Sequence, residues 1–318
     1  MHDNPNMTGP LLTQPRPSFD QSHDDDDDPG ARWLSAMHLG NFAAAWDVSD
    51  AVLAGRDPAT RDDPAAPYHK RWVWDGRPLR GQVLVRCYHG LGDTLQFWRY
   101  LPALSRQASV TVEVQPELIP LLAGRVRLIP FDPARPTKAA CDVEIMELAH
   151  ALRLAPPPAP YLHAVPLPLH LTRPVIGVCW AAGGWDPGRD AGWPALAALG
   201  RAGTVVSLQR GPAAAGATWP DPLTGSMALA DMARLLTALD HIVTVDTMVA
   251  HLAGALGCPT SILLKHDADW RWARGRSTSP WYPAARLYRQ TTPGDWSVPV
   301  ARLLADIAAG TESARRAL

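Results

Sequence analysis

The chain has 318 residues, 47% of them hydrophobic, and a formal net charge of −1. That length and apolar content allow a large core and make two domains the natural division. A charge so close to zero argues against broad electrostatic capture of nucleic acid or of an anionic membrane. The four cysteines, Cys87, Cys141, Cys179 and Cys258, are widely spaced and form no CxxC pair. A zinc site or a disulfide framework is therefore not expected, and Cys87 and Cys179 are expected as small hydrophobes at the ends of buried strands. The N-terminus lacks a basic segment followed by an apolar one, and no apolar run is long enough to span a bilayer. The expectation is a cytoplasmic protein, with at most peripheral membrane association.

Residues 1–30 are polar, contain prolines and include the run Asp24 to Asp28. Such a segment buries too little apolar surface to order itself, and a run of like charges is read as a solvated acidic tail, not as a metal site. Residues 31–55 predict two short helices joined near Gly40 and Asn41, with Leu34, Met37, Leu39, Phe42, Ala45, Trp46 and Val52 at helical spacing. The pattern resembles one tetratricopeptide unit, and a single unit reads as a cap or remnant because stacked repeats need neighbours. Residues 56–80 form an irregular connector whose Trp72 and Trp74 suit packing against the domain that follows.

From residue 81 the chain alternates strand and helix. Val83 to Cys87 predicts a buried strand, Gly90, Leu91 and Gly92 a turn, and Asp93 the first turn of a helix. A strand leading through a glycine turn into a helix N-terminus is how α/β proteins present a ligand site. The carboxylate of Asp93 suits that helix start but repels a phosphate there, so the turn favours an acceptor group or a general base over a nucleotide. Further strands are predicted at 109–114, 126–129 and 141–145, completing a first domain over 81–154. The proline-rich segment 155–172 reads as an extended linker.

A second alternating series occupies 173–310. Val175 to Trp180 predicts a strand, 181–192 a glycine-rich loop, 204–208 a strand and 228–239 a helix. Ile242 to Val245 predicts a strand, Thr247 to Leu256 a helix, Thr260 to Leu264 a strand, and 299–309 a closing amphipathic helix. Two such halves imply an α/β protein of twin Rossmann-like domains facing a cleft. In the segment HIVTVDTMVAHLAGALG, Thr247 can cap the helix and offer its hydroxyl to a phosphate beside free backbone N–H groups. Asp246 suits a sugar hydroxyl or the turn itself, and His251, taken alone, reads as an ordinary core histidine.

RCYHGLGDTLQFWRYLPAL, VDTMVAHLAGALG and DWRWARGRSTSPWYPAARLYRQ, in that order, resemble the signatures of family 9 glycosyltransferases. These are the ADP-heptose:lipopolysaccharide heptosyltransferase-like proteins of the GT-B fold, here in the branch in which the domain follows tetratricopeptide repeats. The resemblance covers roughly residues 70–305. It implies inverting transfer of a sugar from a nucleotide-sugar, ADP-linked in the founding members, to a glycan, lipid or protein acceptor, without metal or cofactor. It places Asp93, beside Gly90 and Gly92, as the general base, and Asp246, Thr247 and His251 at the donor diphosphate. The loop AAGGWDPGRDAGWPAL departs from the branch by keeping only Arg189 as a basic group, and Lys265 is read either as a substitute or as a solvated lysine. Arg271, Arg274 and Arg276 are read either as lining the cleft mouth or as surface cations on indoles.

Two other functions fit parts of the chain. One is a GT-B-fold binding or scaffold protein that has lost transfer, prompted by the altered loop. The other is an NAD-type dehydrogenase, prompted by Glu113 lying about 20 residues after the turn. The turn reads GLGDTL, however, with Leu95 at the third glycine position and Asp93 where the pyrophosphate belongs.

Overall fold

The structure is a computed structural model, which describes residues 28–316 apart from 62, 64, 67–69, 78–80, 125, 133–136, 138, 140, 185, 212, 213, 215, 217 and 225–227. The acidic tail before Asp28 lies outside the described residues. Asp28 itself is not part of a solvated run: its carboxylate accepts the Gly30 and Ala31 N–H groups and caps α1 (Pro29–Leu39). The first helix thus starts two residues earlier than the pattern suggests, because an aspartate followed by proline is a strong start signal. Gly40 closes α1 in the left-handed conformation and Asn41 caps α2 (Phe42–Ala54), so a single antiparallel pair results.

The first α/β domain contains β1 (Gln82–Arg86), α3 (Leu91–Phe97), α4 (Leu101–Leu104), β2 (Ser109–Val114), α5 (Ile119–Leu122), β3 (Arg127–Pro130), β4 (Asp142–Glu144) and α6 (Leu148–Ala151). Its sheet is parallel throughout, in the order β3-β2-β1-β4. The second contains β5 (Val175–Cys179), α7 (Trp193–Leu196), β6 (Thr204–Ser207), α8 (Leu229–Leu236), β7 (His241–Val245), α9 (Met248–Leu256), β8 (Thr260–Leu264), β9 (Ala285–Arg289) and α10 (Ser297–Arg316). Its sheet is also parallel, in the order β6-β5-β7-β8-β9. Near-continuous apolar runs in β1, β5, β7 and β8 are what a parallel sheet covered on both faces requires. All four cysteines are free and buried, and burial pushes the Cys179 thiol up to about 12.

The segment 155–172 contains neither helix nor strand but is tied down: Tyr161 and Leu162 donate their N–H groups to the Ala255 carbonyl, and Leu167 donates to Arg234. One apolar cluster runs from the first sheet through α3 and α9 into the second domain, so the two domains share a core. The helix pair contributes to this junction. Trp33 meets Trp270 edge-on at 5.2 Å, Phe42 meets Trp281 at 6.0 Å, and on the other side Asp50 accepts from His150 at 2.8 Å. Each helix of the pair therefore touches the body through an aromatic ring, which accounts for the tryptophan-rich composition at this seam.

Candidate active site

Asp93 and Thr247 start helices α3 and α9, each directly following the C-terminal end of a central strand. The two helices pack against each other, which brings the first turns of both domains to one seam. The contact is close because residue 92 is glycine: a Cβ there would lie 2.7 Å from His251 Cδ2. His251 is 5% exposed, shares a hydrogen bond with the Tyr282 hydroxyl through Nδ1 at 2.9 Å, and stacks on Trp272. Burial, reinforced by the Arg271 charge, pushes its pKa down to about 3, so the ring is neutral. His251 therefore packs the domain junction as an uncharged ring, without the cationic character a phosphate contact uses.

The carboxylate of Asp93 is engaged at both oxygens. Oδ2 accepts the Gly90 N–H at 3.0 Å, closing the glycine turn, and Oδ1 accepts from Arg271 Nη2 at 2.5 Å. The Arg271 side chain is 4% exposed, against 24% for that of Asp93. Its guanidinium also binds Asp269 at 2.8 Å and Gln96 at 2.7 Å, and lies over Trp270. Burial pushes the Arg271 pKa down, but Asp269 and Asp93 more than offset this and raise it. Of the two sequence readings of Arg271, the surface cation is overturned: packing draws it inward as the link between domains. Arg274 and Arg276 are exposed.

Arg99 makes a second link. It is 3% exposed, donates to the carbonyls of Gln96, Pro157 and Trp281, and sits over the rings of Tyr161, Trp281 and Tyr282. Five donors on a planar fork allow one side chain to join the first domain, the linker and the second domain.

On the donor side the loop 181–192 is shaped by Gln209, which accepts the N–H groups of Trp180 and Ala181, and by Asp190, which accepts that of Ala182. This shape turns Arg189 inward to donate to the Asp246 carbonyl at 2.8 Å, with the Asp246 carboxylate 3.8 Å away. Lys265 Nζ reaches Asp186 at 2.9 Å, and Arg189 lies 3.7 Å from the same carboxylate. The structure thus brings Arg189, Lys265, Asp246 and Thr247 together at the C-terminal edge of β5, β7 and β8. Thr247 occupies the N-cap position, yet its hydroxyl makes no capping bond, contrary to the capping role that its position suggests. Asp246 is 6% exposed, and burial, with the nearby Asp269 charge, pushes its pKa up to about 6 against the lowering effect of Arg189.

The first domain holds a further group that the motifs did not single out. Glu144, at the end of β4, lies with Oε1 2.8 Å from His89 Nε2 and accepts the Tyr88 hydroxyl on Oε2 at 3.0 Å. The sequence signal available was a histidine next to a glycine turn; its partner 55 positions later is invisible without the β1–β4 pairing. Among the described residues no group of three His, Cys, Asp or Glu side chains gathers as a metal site, and no helix is long and apolar enough to cross a membrane.

Residues 205–267, which span β6 to just beyond β8, match the family model "Glycosyltransferase family 9 (heptosyltransferase)". Among solved structures, E. coli ADP-heptose LPS heptosyltransferase II aligns with a TM-score of 0.55 at 18% identity, covering 74% of this chain and 99% of that one. The iron-containing dodecameric glycosyltransferase TibC from enterotoxigenic E. coli H10407 aligns with a TM-score of 0.51 at 16% identity, covering 71% of this chain and 66% of that one. TibC in complex with ADP-D-β-D-heptose aligns with a TM-score of 0.52 at 14% identity, covering 76% and 77%. No curated protein matches the sequence. The family 9 resemblance is borne out over residues 205–267, and the α/β GT-B-like fold by the structural alignments.

Proposed function

We propose that the chain transfers a sugar from a nucleotide-sugar of the ADP-heptose type to an acceptor hydroxyl, with inversion and without a metal. The observation that carries this is the packing of α3, whose first turn holds Asp93, on α9, whose N-cap is Thr247, with Arg189 on the adjoining Asp246 carbonyl and Lys265 on Asp186 beside it. The nucleotide-sugar class is supported by the family match on the second domain and by the ADP-heptose held by a structural neighbour.

In this mechanism the acceptor oxygen attacks the anomeric carbon while the bond from that carbon to the phosphate oxygen breaks. A single displacement inverts the centre. Asp93 faces the acceptor hydroxyl as a hydrogen-bond acceptor and general base, a role worth ~10²–10⁴-fold. The nucleoside diphosphate leaves carrying negative charge, which the open N–H groups of α9, the Thr247 hydroxyl and the cations Arg189 and Lys265 stabilise. Asp246 orients a donor hydroxyl, and His251 supports the diphosphate region by packing.

A second reading rests on a specific observation. Arg271 is committed to Asp93 and Asp269, and Lys265 to Asp186, so these cations already have partners within the chain. A sugar- or nucleotide-binding protein that has lost transfer fits that state. Release of nucleoside diphosphate is the deciding measurement, made with ADP-heptose, other ADP-, UDP- and GDP-sugars, and NAD as the control. Release by the wild type that drops in Asp93→Asn supports transfer. Binding of nucleotide-sugar without release supports the second reading, and equal release by both proteins removes Asp93 from the chemistry.

A further inference from the structure

His89 flanks the same glycine turn as Asp93, on the acceptor side, and the function proposed above does not use it. Its side chain is 38% exposed, whereas its partner Glu144 is 8% exposed, with Oε1 in ion-pair contact with His89 Nε2 at 2.8 Å and Oε2 accepting the Tyr88 hydroxyl. The Tyr88 ring lies against the imidazole at 4.6 Å between centroids. The His89 carbonyl accepts from Gln115 Nε2 at 2.8 Å, which pins the backbone at the turn. With Nε2 turned to Glu144, the tautomer protonated at Nε2 leaves Nδ1 as a lone-pair acceptor, and no hydrogen bond to Nδ1 occurs among the described residues. A buried carboxylate behind an imidazole that has one open nitrogen is the arrangement by which proteins turn histidine into a base.

Asp93 is in a different condition. Its Oδ1 is held by Arg271, and a proton delivered there would displace that contact. We propose that His89, backed by Glu144, replaces Asp93 as the proton acceptor of the transfer step and takes the proton of the acceptor hydroxyl while Arg271 holds Asp93. In this step the acceptor O–H bond breaks and its proton moves to His89 Nδ1. The oxygen bonds to the anomeric carbon, and the nucleoside diphosphate departs with the electron pair of the broken bond. Glu144 stabilises the imidazolium that forms, and Asp93, still paired with Arg271, orients the hydroxyl.

The surrounding charges favour the assignment. Burial pushes the His89 pKa down, but the hydrogen-bonding and charge of Glu144, with Asp93, more than offset this and raise it; Arg271 opposes them. A base with affinity near the working pH is more effective than one far below it.

The inference rests on the transferase function proposed above, and the experiment separates the two. ADP release from ADP-heptose is followed against pH, with water as the acceptor, for wild type, His89→Ala, His89→Gln and Glu144→Gln. The expected wild-type rate rises with pH through a value above 6.5, the ordinary histidine value, as the imidazole loses its proton. His89→Ala is expected to lose ~10²-fold and to recover in part with added imidazole, in proportion to its unprotonated form. Glu144→Gln is expected to shift the acid limb to lower pH. No ADP release by the wild type overturns the transferase function and the assignment with it. Release by the wild type with an unchanged rate and pH limb in His89→Ala overturns the assignment alone. So does a loss that imidazole does not restore together with an unmoved limb in His89→Gln.

Discussion

Arg271 of the second domain holds Asp93 of the first at 2.5 Å, so the carboxylate that closes the glycine turn is also the point where the domains are joined. The same guanidinium binds Asp269 at 2.8 Å, and its side chain is 4% exposed. Removing this cation leaves two carboxylates without their partner at a water-poor seam. Arg271→Gln is expected to cost about 2–4 kcal/mol, below the full cost of breaking a buried pair because Asp93 remains partly solvated. Arg271→Lys is expected to restore little, since an ammonium cannot reproduce the fork that serves Asp93, Asp269 and Gln96 together. Chemical denaturation of the three proteins checks this, and an unchanged midpoint in Arg271→Gln would show that the pair contributes nothing.

The α3–α9 contact depends on the missing side chain at position 92. In Gly92→Ala the new Cβ meets His251 Cδ2 at 2.7 Å, and His251 is itself fixed by Tyr282 and Trp272. Neither helix can withdraw without opening the shared core, so a loss of about 1–3 kcal/mol is expected. If the clash is the cause, Gly92→Ala combined with His251→Ala will be less destabilised than the sum of the two single changes. Simple additivity in that cycle would disprove the contact as the cause.

Asp246 has its pKa pushed up to about 6 by burial and by Asp269, against 3.8 ordinarily. The native state therefore binds this proton more tightly than the unfolded chain does. The corresponding stability is fully present below about pH 4 and is lost as pH rises through about 6. Asp246→Asn should accordingly be more stable than wild type at pH 7, by roughly 1–3 kcal/mol at two displaced pKa units, and the difference should vanish near pH 4. Denaturation midpoints across that range test the sign. A bound diphosphate would raise the carboxyl further, so nucleotide binding near pH 6.5 should take up protons. Calorimetry in buffers of different ionisation enthalpy reads that uptake.

Arg189 survives as the basic group of an otherwise divergent loop and sits on the Asp246 carbonyl at 2.8 Å. If it serves the donor phosphates, Arg189→Met should weaken nucleoside diphosphate binding by about 1.5–3 kcal/mol, the worth of a hydrogen bond to a charged group. Lys265→Met should have a smaller effect, because Lys265 is one-third exposed and already paired with Asp186. Titration calorimetry with ADP separates the two, and equal affinity in wild type and Arg189→Met would remove Arg189 from the donor site.

Much of this protein is written in short-range pattern. Apolar runs of strand length followed by glycine turns and helix starts are local signals, so β1–α3 and β7–α9 were legible before any coordinates, as was the proline segment between the halves. Strand β9 was not, because ARLYR places two arginines among three apolar residues without strict alternation, in an arginine-rich segment, and its strand character comes from pairing with β8. Nor was the state of the charged groups legible. Arg271 and Asp93 are 178 positions apart, and only the packing of α3 on α9 joins them. The same packing made His251 neutral, while the shape of loop 181–192 turned Arg189 inward and the β1–β4 pairing set His89 on Glu144. The sequence determined which elements form and where the two ligand turns lie, since both depend on neighbours within a few residues. Burial and ionic partnership are properties of the assembled core, so tertiary structure alone decided which of the candidate groups are engaged, which are neutral, and which one keeps an open nitrogen at the acceptor side.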